Sequence, residues 1–66
     1  METFKERLIQ EKAELDEKID KLSAFINGDN FVKIEAVQQS LLSVQLRAMQ
    51  TYSLILVERI AWLDRN

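Results

Sequence analysis

Apolar residues recur at helical spacing in two long runs along this chain, and the runs differ in what fills the positions between them. In the first, Leu8, Leu15, Ile19, Leu22 and Ile26 form one narrow stripe with Phe4 and Phe25 on its flank. Glu11, Glu14, Asp16, Glu17 and Lys18 take the other side. This pattern predicts an amphipathic helix over about 4–26. Thr3-Phe4-Lys5-Glu6 marks its start, with the spacing of a capping box: the threonine oxygen accepts from a first-turn amide while Glu6 reaches back. Asn27-Gly28 marks its end, because glycine enters the left-handed conformation that closes many helices without a Cβ penalty. Glu14 with Lys18 and Glu17 with Lys21 stand four apart in the favourable orientation for surface ion pairs.

Asp29 to Ile34 reads as a short connection in which Phe31 and Ile34 tuck back as a plug or a single helical turn. A second helical run then extends over about 35–63 with no glycine or proline to break it. Two long helices joined so briefly fold back antiparallel. Between Ala36 and Val57 the second helix carries one charge, Arg47, and its polar positions are glutamine, serine and threonine. Two apolar stripes run along it. Leu42, Leu46, Met49, Leu56, Ile60 and Leu63 form one, and Val37, Leu41, Ala48, Tyr52 and Ile55 the other. A single partner helix covers only one stripe, so the other is expected to meet a second subunit, with Ser43, Ala48, Ser53 and Ala61 small enough for close approach. The expectation is an all-α chain, one helical-hairpin domain over residues 1–66, assembling into a compact homo-oligomer with the second helix inside.

Composition reinforces the oligomer. A chain of 66 residues builds only a small core and usually needs a staple, yet there is no cysteine for a disulfide and no histidine for a metal. The net charge of −2 and isoelectric point near 5.0 are opposite to what gripping duplex DNA or RNA requires. No secretory leader opens the chain and no apolar run of about eighteen residues occurs. It therefore reads as a complete, soluble cytoplasmic protein that stays off the membrane.

Catalysis has little to work with. Asp16, Glu17 and Asp20 lie on a charged face beside lysines, the single glycine rules out a phosphate-cradling loop, and no residues have the spacing of a metal site. The chain is expected to be neither an enzyme nor a cofactor carrier. Binding is better supplied. Lys21, Ser23, Arg47, Arg59 and Arg65 are donors suited to phosphates, and Phe4, Phe25, Phe31, Tyr52 and Trp62 are aromatics on which bases can stack. Four of them have a plainer role as well: Phe25 and Phe31 pack around the turn, Tyr52 sits in the core with a satisfied hydroxyl, and Lys21 pairs with Glu17. Phe4, with Leu8 as its nearest apolar neighbour, is expected to be half exposed.

The segment FKERLIQEKAELDEKIDKLSAFI, followed after a short turn by QLRAMQTYSLILVERI, resembles a family of small phage proteins, the anti-CBASS cyclic-oligonucleotide sponges. The resemblance spans Phe4 to about Leu63. It is most specific in KLSAFI and in the spacing of Met49, Tyr52, Ile55, Leu56, Arg59 and Ile60. It implies hexamers of helical hairpins, encoded by a phage and acting in the host cell cytoplasm. These sequester cyclic dinucleotides and, in several members, cyclic trinucleotides at separate sites, so that immune effectors stay off. By the same resemblance Lys21 is the phosphate lysine of the dinucleotide site, and Phe4 matches a base-stacking position that is commonly tyrosine. Phenylalanine there keeps stacking and loses a phenolic hydrogen bond. Ser23 and Arg59 match the trinucleotide contacts. Lys21 and Ser23, two apart on a helix, point in different directions and so suit two pockets. A structural or adaptor oligomer that binds another protein is the competing reading, and a nuclease acting on the same signals is a third.

Overall fold

The computed structural model describes residues 3–65; Met1, Glu2 and Asn66, the outer limits of the expected domain, lie outside the described residues. Helix α1 spans Phe4–Ile26, a single 3-10 turn spans Phe31–Lys33, and helix α2 spans Ala36–Leu63. The hairpin is a rod 49 Å long and 19 by 14 Å across.

Thr3 caps α1 as its spacing predicts: its Oγ1 accepts from the Glu6 amide at 3.1 Å, which satisfies one of the donors that a helix start leaves open. The return half differs from the expected box, since the Glu6 carboxylate accepts from the Thr3 hydroxyl itself at 3.2 Å. Lys21 Nζ lies 3.1 Å from Glu17, the anticipated pair, and Glu14 accepts from the Gln10 amide.

The end of α1 corrects the expected glycine conformation. Gly28 does not adopt positive φ. The closure comes from Asn27, whose backbone N–H and side-chain amide both donate to the Ser23 carbonyl, at 3.1 and 3.0 Å. Gly28 instead eases a close approach: a Cβ there would stand 3.2 Å from the Ala24 carbonyl oxygen, which would have to give by a few tenths of an ångström, while the Gly28 N–H donates to Phe25 O. Across the turn, the rings of Phe25 and Phe31 meet edge to face at 6.2 Å. The Gln39 side chain donates to the Ile34 carbonyl at 3.0 Å and ties the first turns of α2 to the connection.

Two cross-links set the antiparallel register. Ser53 on α2 donates to Asp16 on α1 at 2.6 Å, and Lys5 pairs with Asp64 at the open end of the hairpin. Asp16 thus has a packing role that its place on a charged face did not suggest. The same carboxylate receives Lys12 at 2.6 Å, and the Lys12 and Ser53 hydrogen bonds hold its pKa below the ordinary value.

The core is thin. Leu8, Leu15 and Leu56 are buried, with Ile19, Met49 and Ile60 packed around them. Leu56, wholly inaccessible, is the centre of the contact. The stripe containing Leu42, Leu46, Met49, Leu56 and Ile60 faces α1 as expected, except that Leu63 at its end is partly exposed beyond the last full turn of packing. The other stripe is open. Val37, Leu41, Val44, Leu54 and Ile55 are all exposed, and so is Tyr52 at 44%, which corrects its reading as a core residue. Tyr52, one turn before Leu56, lies on the flank of the covered stripe, and among the described residues no further element covers it.

Candidate functional site

The residues singled out by chemistry fall at two ends of the rod. At the open end, α1 begins and α2 finishes, which puts Phe4 beside Arg59. Phe4 is 57% exposed, and the Arg59 guanidinium stands 5.9 Å from the centre of its ring. Close by, Trp62 is 66% exposed and the Arg65 guanidinium lies 4.3 Å above it. This end therefore offers aromatic faces already paired with cations, a combination that accepts a base or another flat π-system.

At the turn end, Lys21 and Ser23 occupy the last turns of α1. Lys21 is solvent-exposed, and its ion pair with Glu17 joins two side chains that are both largely in water. Such a pair is weak, so the ammonium is available to a stronger anion. Ser23 is half-buried, and its carbonyl closes the helix by accepting from Asn27. With a rise of about 1.5 Å per residue, Phe4 stands about 26 Å from Lys21 along α1. Within one chain the structure joins Phe4 to Arg59, and it joins neither Phe4 to Lys21 nor Ser23 to Arg59. A site built from either of the latter pairs needs a second copy.

A feature missed from sequence lies between the turn and α2. Phe31, Gln39, Ser40, Ser43, Val44 and Arg47 line an open hollow of about 370 Å³. Its signal was present in the spacing, since positions 40, 43, 44 and 47 share one helix face, but Phe31 joins them only because the 3-10 turn returns it there. Among the described residues no group of acidic, histidine or cysteine side chains could hold a metal ion, and no helix is long and apolar enough to cross a membrane.

No curated protein matches this chain, and no solved structure does. A family model described as Sequestin matches residues 2–62, a span that takes in α1, the turn, the hollow and all but the last residue of α2. The family's name fits the sequestering sponges that KLSAFI and the late arginine pattern resemble. By that match this chain belongs to the Sequestin family.

Proposed function

We propose that this chain is a non-catalytic sponge: it binds cyclic dinucleotides, and cyclic trinucleotides at a second set of sites, without degrading them, and so keeps CBASS effectors inactive in the cytoplasm of a phage-infected host. The observation that carries this reading is membership, across residues 2–62, of a family whose name denotes sequestration. The surfaces are compatible with it. In a hexamer of hairpins, an antiparallel pair of α1 helices would bring Phe4 of one copy toward Lys21 of another, closing the 26 Å gap of the single chain. One would supply the stacking face and the other the phosphate contact. Ser23 and Arg59, also at opposite ends, would form the trinucleotide site by the same route.

The test is thermal unfolding of the purified protein against a panel of cyclic di- and trinucleotides, followed by heat release and chromatography of what was bound. A ligand at 100 times its Kd stabilises by about 2.7 kcal/mol per site. Intact nucleotide recovered after a large shift supports the sponge; linear product would make the protein a nuclease; no shift across the panel overturns cyclic-nucleotide binding. Lys21→Ala should remove dinucleotide binding alone, and Ser23→Ala or Arg59→Ala trinucleotide binding alone. Loss of both by one variant, with the assembly unchanged, contradicts separate sites.

The exposed stripe of α2 favours a second reading, since an apolar face this long suits a foreign protein as well as another copy. An adaptor of that kind would be unmoved by every nucleotide.

A further inference from the structure

We propose that the hollow between the 3-10 turn and α2 is a phosphodiester site, in which Arg47 holds the phosphate, Ser40 donates a hydroxyl hydrogen bond, and Phe31 walls the attached base. The proposal goes beyond the sponge reading and does not rest on it, because a linear phosphodiester would serve as well as a cyclic one.

The donor inventory leads there. Gln39 spends its amide on the Ile34 carbonyl and Ser43 its hydroxyl on the Gln39 carbonyl. Among the described residues Arg47 has no ion-pair or hydrogen-bond partner, and the Ser40 hydroxyl has none. Arg47 is also the only charge between Ala36 and Val57, in a chain whose net charge is −2. A guanidinium kept without a carboxylate in a neutral stretch, facing a hollow, is arranged for an anion from outside. Its planar fork matches two phosphate oxygens at once.

The charge count calls for a monoanion, and the Phe31 wall for one that carries a flat ring. The hollow's lining carries one cation and no acid. That balances the single negative charge of a phosphodiester and leaves the second charge of a terminal phosphate unmet. A volume of about 370 Å³ sits at the small end of ligand pockets, which run from about 300 to 1,000 Å³. It suits one linkage with one base, the remainder lying outside the open rim. The register set by Asp16–Ser53 and Lys5–Asp64 places Arg47 at the height of Leu22, between Lys21 and Ser23 on the neighbouring helix. Three phosphate-capable groups therefore share one level of the rod.

The experiment is an NMR titration of the full chain with adenylyl-3′,5′-adenosine, a linear phosphodiester flanked by two bases, with adenosine as the uncharged control. Saturable shifts of the Arg47 Nε–H and the Phe31 ring with the dinucleoside, absent with adenosine, are expected. Arg47→Gln should weaken binding at least about tenfold, Ser40→Ala less, and Arg47→Lys should restore part of it while losing the fork. Both positions are exposed, so circular dichroism should show the fold unchanged. Unmoved Arg47 and Phe31 signals, or equal affinity in Arg47→Gln, would overturn the site. Either result is independent of whether cyclic nucleotides bind: a protein that ignores them yet shifts at Arg47 would lose the sponge reading and keep this one.

Discussion

The two faces of α2 are made from the same kinds of residue and meet opposite fates. Leu42, Leu46, Met49, Leu56 and Ile60 lie against α1, while Val37, Leu41, Val44, Ala48, Tyr52 and Ile55 lie open. Hydrophobicity alone therefore does not say where a chain's core is; the number of available neighbours does. With one neighbouring helix only one stripe can be covered, and the core closes around three leucines. The surplus on the other face is too regular to be incidental, since it follows helical spacing from Val37 to Ile55.

Removing the centre of the covered face should have the largest effect. Leu56→Ala deletes the one wholly buried side chain among the described residues and is expected to cost about 3–5 kcal/mol in urea unfolding, enough to leave the hairpin largely unfolded. A loss under about 1 kcal/mol would mean that the stripe facing α1 is not the energetic core. The open face is probed by the double substitution Leu41→Glu and Ile55→Glu. If that face joins copies, light scattering should fall to the monomer mass, and the unfolding midpoint should stop depending on protein concentration. An unchanged mass would show that this stripe is not the joint.

Smaller effects sharpen the comparison by testing what aligns the faces. Thr3→Ala removes the acceptor for the Glu6 amide and should cost about 1 kcal/mol, read as a lower denaturant midpoint with both faces intact. Asp16 ties α1 to α2 through Ser53, and its pKa is lowered first by the Lys12 hydrogen bond and then by Ser53. A lowered value means that the folded state holds the carboxylate more tightly than the unfolded chain does. The resulting stability is present above the ordinary aspartate value of 3.8 and is lost as pH falls through the lower folded value. Ser53→Ala should flatten that acid-side decline in unfolding measurements made across pH; an unaltered slope would show that Lys12 alone sets it.

Much of this was legible in the chain. Thr3, Asn27-Gly28 and the lack of any breaker beyond Glu35 located both helices, and the two stripes of α2 were separable by spacing before either had a neighbour. What escaped was non-local or a matter of clearance. Asp16 and Ser53 are 37 positions apart and each looks like an ordinary surface residue, so only the register reveals their bond. Gly28 was legible as a stop but not as a spacer, because the obstacle is a carbonyl oxygen of the preceding turn. The candidate residues were legible as types, and their distribution was not: Phe4 with Arg59 at one end and Lys21 with Ser23 at the other follows from the length of α1 and the fold-back together.

The Lys5–Asp64 pair has a practical consequence for anyone handling the molecule. It sets the beginning of α1 beside the finish of α2, so a tag fused ahead of one or behind the other departs from the same tip of the rod. A bulky fluorescent protein attached there would crowd Phe4 and Arg59, and with them any site that they complete on a second copy, while leaving the hollow at Arg47 clear. The choice of tag thus becomes an instrument for asking whether a ligand needs that tip, and a peptide of a few residues there could string two copies into one continuous chain.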